Sequence, residues 1–119
     1  MEMKYIKEND KVLAVLESGG VVIFNAQDAG ELLMNCLYND CNSVIIKEEN
    51  LQPEFFDLKT GLAGDILQKF STYQGRLAII GDFSKYESKS LKDFIYESNK
   101  MGRINFVASM EEAVGALSD

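Results

Sequence analysis

The sequence predicts an α/β domain built on a mixed, mostly parallel sheet of about five strands, and three observations carry that prediction. Two short runs, "SVIIK" (43–47) and "RLAIIG" (76–81), are continuously apolar, as strands of a parallel sheet covered on both faces are. Segments with apolar residues at steps of three and four stand between such runs, the spacing of amphipathic helices. The chain also opens on two alternating runs parted by Asn9-Asp10, a strong signal for a two-residue hairpin. Strands that alternate with helices need right-handed crossovers and therefore parallel neighbours, while the hairpin makes the sheet mixed.

Taken in order, "MKYIKEN" and "KVLAVLE" form the hairpin, and "SGGVVIFN" follows with a turn at Gly19-Gly20 and room for a short extra strand. Asn25 is placed to cap a helix with Asp28 three residues on, and Ala29, Leu32, Leu33, Cys36 and Leu37 continue its apolar stripe to about Tyr38. After the strand 43–47, Pro53 suits the first turn of a helix. Phe55, Leu58, Leu62, Ile66, Phe70 and Tyr73 then mark one unbroken face, predicting a helix from Pro53 to about Thr72. The strand 76–81 is followed by "SKSLKDFIYESNKMG", a helix with Ser90 and Asp93 at capping-box spacing and Gly102 as its stop. "INFVA" is the last strand. "SMEEAVGAL" is a short terminal helix with Ser109 and Glu112 as its box. The order is β-β-α-β-α-β-α-β-α, in a single domain over 1–119 with no linker or repeat.

Composition narrows the functions available. The chain has 119 residues, enough to bury a sizeable core, and a formal net charge of -7. That balance opposes nucleic acid as a partner, because phosphate binding needs a clustered basic surface. Lys85, Lys89, Lys92, Lys100 and Arg103 do make the third helix locally basic, but Asp93 and Glu97 interleave with them as on a solvated mixed face. No run is long enough for a membrane span, and a charged N-terminus replaces the apolar core of a signal peptide, so a cytoplasmic location is expected. There is no histidine, which removes the Ser-His and Cys-His nucleophile arrangements and the commonest zinc ligand. With only Cys36 and Cys41 as thiols, both expected reduced, a closed zinc site is excluded too. No metal or cofactor is expected, and a catalytic role is not the favoured one.

The element order, with the stretches "FFDLKTGLAGDILQKF" (55–70), "RLAIIGDFSKY" (76–86) and "INFVASMEEAVGAL" (104–117), resembles the STAS-like domains, the fold of bacterial anti-sigma-factor antagonists. It is similar in particular to small, stand-alone, uncharacterised bacterial domains of that fold. In the antagonists a serine within an Asp-Ser-Ser-Gly-Leu-like motif, at the start of the second helix, is phosphorylated by a partner kinase. The resemblance therefore implies Thr60 as phospho-acceptor, followed by Gly61 and Leu62, with Lys59 beside it to pair with the phosphate. Leu58 stands where that motif has its aspartate, Lys59 replaces its first serine, and Asp57 comes one place early.

The residues themselves give a different expectation for Thr60. The unbroken apolar face puts it in mid-helix, buried, with its hydroxyl on a carbonyl one turn earlier. Gly61 and Gly64 each cost about 1 kcal/mol against alanine inside a helix, so they are expected to permit close packing or an interface. Glu48, Glu49 and Asp82 follow the carboxyl ends of two strands, where ligands of parallel sheets gather, and would form an acidic pocket able to hold Mg²⁺. Together these features predict a non-catalytic regulatory or protein-interaction module whose partner is another protein or a second copy of the chain, as a homodimer. The alternative is a small-molecule- or Mg-binding domain or enzyme using those carboxylates.

Overall fold

The computed structural model describes residues 2–118. The hairpin forms as expected: β1 (Met3–Glu8) lies antiparallel to β2 (Lys11–Leu16), with Glu8 opposite Lys11 at the turn and Met3 opposite Leu16 at the far end. Asn9 and Asp10 both take left-handed conformations (φ 51° and 65°), the pair of angles that matches a tight turn to the twist of its strands. Few side chains other than those of asparagine and aspartate tolerate them cheaply.

From β2 the chain passes through α1 (Ala26–Tyr38), β3 (Ser43–Lys47), α2 (Leu62–Thr72), β4 (Arg76–Ile80), α3 (Lys89–Met101), β5 (Ile104–Val107) and α4 (Met110–Leu117). The sheet order is β1-β2-β3-β4-β5, and β2 to β5 are parallel. Each crossover thus advances one strand in the same direction, and one handedness puts α1, α2 and α3 on one face. The strand residues that face them are Ala14, Leu16, Val44, Ile46, Leu77, Ile79, Ile104 and Phe106, packed in one core with Leu32, Leu33, Phe55, Ile66 and Phe70. The alternate residues Leu13, Ile45 and Ala78 are buried on the other face beneath Ala113 and Leu117 of α4. Burial from both sides is why these strands read as unbroken apolar runs.

The caps at Asn25 and Ser109 form as the sequence predicts. Asn25 accepts from the Asp28 N–H at 2.8 Å while Asp28 accepts from the Phe24 N–H at 2.9 Å; Ser109 accepts from the Glu112 N–H at 3.1 Å. The cap of α3 needs correction. Ser88, not Ser90, accepts from the Leu91 N–H at 3.2 Å, because the helix already starts at Lys89 and Ser90 lies within its first turn. The segment before α1 is not a strand either, but meets the loop after β3 through an isolated parallel bridge between Ile23 and Leu51. Helix α1 ends with Asp40 in the left-handed region (φ 56°) and the Cys41 N–H on the Cys36 carbonyl at 2.9 Å. This closure lays the two cysteines side by side. Both are buried and free.

The largest correction concerns the helix expected from Pro53. Two separate 3₁₀ turns, Pro53–Phe56 and Leu58–Thr60, precede Gly61, and the α-helix starts only at Leu62. Asp57 breaks the run: its carboxylate accepts from the Lys59 N–H at 3.2 Å, the short-range bond by which aspartate competes with helix. Gly61 then turns the chain at φ 80°. Consecutive 3₁₀ turns repeat every three residues, so they produce the same apolar spacing as a helix does.

Candidate functional site

The carboxyl ends of β2, β3 and β4 open onto one edge of the molecule, and a single buried side chain organises it. Asn50 accepts from the Lys47 N–H at 2.8 Å and donates to the carbonyls of Ser18 and Gly20, both at 2.9 Å. It is fully buried. One amide thereby ties the loop leaving β2 to the turn leaving β3. Glu49 adds a bond from the Gly20 N–H at 3.2 Å. Nothing in the sequence pattern singles out Asn50, because the two carbonyls it donates to lie 32 and 30 positions away.

Beside this loop a groove of about 310 Å³ runs between the exits of β3 and β4. Its polar wall is Glu48, which accepts from the Tyr86 hydroxyl and pairs with the Lys85 ammonium at 2.8 Å. Its apolar wall is Phe56, whose ring stacks on that of Tyr86 at 4.9 Å and 10°. Burial and the hydrogen bond to Glu48 push the Tyr86 hydroxyl well above the usual phenol range. Gly81 lies under Glu48 and leaves room for it.

The three carboxylates predicted to converge do not. Glu48 and Glu49 border the groove with separate partners, whereas Asp82 lies in another depression, with Phe83, Val107 and Glu112. Asp82 is engaged by Ser84, from whose hydroxyl it accepts at 2.6 Å and from whose N–H it accepts at 3.1 Å. Those bonds hold its carboxyl below the usual range. Among the described residues no three His, Cys, Asp or Glu side chains come together as metal ligands would. The basic side chains of the third helix and its ends are likewise dispersed: Lys89 pairs with Asp93 at 2.9 Å, and Arg103, beyond the helix, donates to the Gly75 carbonyl at 2.8 Å.

Thr60 is neither buried nor in the middle of an α-helix. It is exposed, at the end of the second 3₁₀ turn, with its hydroxyl 2.8 Å from both the Glu54 and Asp57 carbonyls. The same oxygen accepts from the Leu62 N–H at 3.3 Å, and so stands at the start of α2. Lys59 is exposed beside it. The close-packing expectation for Gly61 and Gly64 also fails within the chain, since a Cβ at either would meet nothing within 4 Å. Gly61 is required by its positive φ instead. Gly64 stands open to solvent in the first turn of α2, and nothing inside the chain explains it.

Among the described residues no helix is long and apolar enough to cross a membrane. The family model of a domain of unknown function (DUF4180) matches residues 8–117, and the chain belongs to that family. Among curated proteins none matches the sequence. In three dimensions the chain is similar to the crystal structure of a candidate anti-sigma factor antagonist from Thermotoga maritima. The TM-score is 0.51 at 14% identity, over 98% of this chain and 95% of that one. At that identity the likeness establishes a STAS-like fold.

Proposed function

We propose that this domain is a non-catalytic regulatory module that binds a protein partner through the surface at the start of α2. The observation that carries the reading is the exposed hydroxyl of Thr60 on the first N–H of α2, next to an open strip at Gly61 and Gly64. A strip without Cβ atoms admits a partner's backbone at short range. The helix N-terminus adds N–H groups with no partner within the helix, and positive dipole. The fold neighbour's description as an antagonist, a protein that works by binding another, supports the same reading.

Thr60 is the residue through which that surface would be switched. A phosphoryl group replaces the hydroxyl proton, so the bond to the Glu54 or Asp57 carbonyl is lost while an oxygen still faces the Leu62 N–H. Lys59 offsets part of the added charge, but Glu54, Asp57 and Asp65 lie within the same few residues. Phosphorylation there weakens binding to an acidic or neutral partner.

The test is affinity capture with the wild type, Thr60→Glu, Gly64→Leu and a distant control, Glu111→Ala. The reading expects one protein to be held by wild type and control and lost from the other two. Equal capture by all four overturns it. A specific rise in melting temperature with Mg²⁺ or a small metabolite would instead favour a ligand-binding domain or enzyme.

A further inference from the structure

The two edges of the sheet are treated differently. At β5 the Asn99 side chain donates to the Phe106 carbonyl at 3.2 Å and accepts from the Phe106 N–H at 2.7 Å. It occupies the outward-facing backbone groups of Phe106, which an added strand would need there. β1, the other terminal strand, has no neighbour beyond it among the described residues. Its outward-pointing backbone groups follow from the hairpin. Glu8 and Lys11 flank a two-residue turn and bond each other, and the Glu2 carbonyl accepts from the Glu17 N–H at 2.9 Å. Even-numbered residues therefore spend their backbone groups on β2. Met3, Tyr5 and Lys7 present theirs to the open edge.

We propose that this edge pairs with β1 of a second copy, antiparallel and centred on Ile6, to give a homodimer with a continuous sheet. Only odd residues offer bonds, so odd must face odd across the two-fold axis. Centring on Tyr5 sets Lys4 against Ile6 and Glu2 against Glu8. Centring on Lys7 sets it against its own copy and Ile6 against Glu8. Centring on Ile6 sets Lys4 against Glu8 twice, Ile6 against itself, and Tyr5 against Lys7 twice, with the hydrogen bonds made by the Tyr5 and Lys7 pairs.

Each side chain from Lys4 to Glu8 then meets a complement. Lys4, Ile6 and Glu8 lie on the α4 side, where Ile6 already packs at the margin of the core. These are the pairs between hydrogen bonds, in which side chains approach most closely. On the opposite face Tyr5 is 37% exposed and steadied by the Asn39 amide at 3.2 Å, its ring free to meet a lysine. Lysines on an edge strand ordinarily repel other strands. Here they penalise every register except the one that supplies glutamate.

Sedimentation equilibrium of the full chain tests the pairing. Wild type is expected to dimerise. Lys4→Glu, which sets a carboxylate against that of Glu8 at both ends of the pairing, should raise the dissociation constant at least about tenfold, and Lys4→Glu/Glu8→Lys should restore it. Ile6→Cys should give a covalent dimer on mild oxidation, because Cα atoms of such a pair stand about 4.5 Å apart, within disulfide range. A wild type that stays monomeric at millimolar concentration overturns the proposal. So does a dimer indifferent to Lys4→Glu, or an Ile6→Cys protein that does not cross-link.

Discussion

Glu48 lies so close above the backbone of Gly81 that a Cβ on the glycine would stand 2.6 Å from its Oε1 and 2.8 Å from its own Cβ. The first atom could swing away; the second is fixed to the turn that leaves β3. Gly81→Ala is therefore expected to destabilise the domain by about 1–3 kcal/mol, as overpacking does. It should also separate Glu48 from Tyr86. Urea denaturation checks the first effect, and an alkaline titration of tyrosine absorbance checks the second.

Gly61 and Gly64 should respond to alanine with opposite signs. Gly64 is helical, exposed and open, so Gly64→Ala is expected to stabilise by up to about 1 kcal/mol. Gly61 holds φ 80°, and alanine there should cost about 1–2 kcal/mol. Thermal melts of the two variants decide it. Gly64→Leu should leave the isolated domain intact, so any loss of partner capture would not be a loss of fold.

The raised Tyr86 hydroxyl makes stability depend on alkaline pH in a definite direction. Above about pH 10, the ordinary phenol value, the unfolded chain releases this proton while the folded chain keeps it. With more protons on the folded state, stability falls as pH rises, and the contribution is fully present below that pH. Tyr86→Phe is expected to flatten the fall above pH 10 and to lower stability near neutrality, where the bond to Glu48 is lost. A set of urea curves from pH 7 to about 11 measures both. An unchanged slope in the variant would remove Tyr86 as its source.

Most of the fold was legible because its signals are local. Asn9-Asp10 specifies a turn through its own backbone preferences, Asn25 and Ser109 cap helices through bonds three residues long, and two-sided burial writes itself into β3 and β4 as apolar runs. The site was less legible for the converse reason. The Glu48–Tyr86 contact spans 38 positions, and no periodicity reports it. The break between Asp57 and Gly61 is hidden because 3₁₀ turns share the spacing of a helix, so the pattern offers Gly61 as a packing glycine when its φ is what matters. Glu48, Glu49 and Asp82 are neighbours in element order only. Their side chains take separate local partners.

Asn50 gives the sharpest test of how the groove is held. Its amide makes bonds to one backbone N–H and two backbone carbonyls, all 2.8–2.9 Å long, in a fully buried position. Asn50→Ala leaves those three groups without their partner, and each must find water in a space no larger than the missing amide. Unmet backbone groups cost more than the bonds they lose, so a destabilisation of about 2–4 kcal/mol is expected, at the upper end of ordinary substitutions. Asn50→Asp retains the acceptor for the Lys47 N–H but offers no donor to the carbonyls of Ser18 and Gly20. It should recover none of the lost stability at neutral pH, where a buried carboxylate would face two carbonyl oxygens. Amide exchange separates this effect from a general loss of stability. The Lys47 N–H should exchange faster in Asn50→Ala than the amides of β4 do, since its protector is gone while the sheet persists. A cost below about 0.5 kcal/mol, within the range of ordinary surface substitutions, would mean that the loop after β2 is held by something other than Asn50.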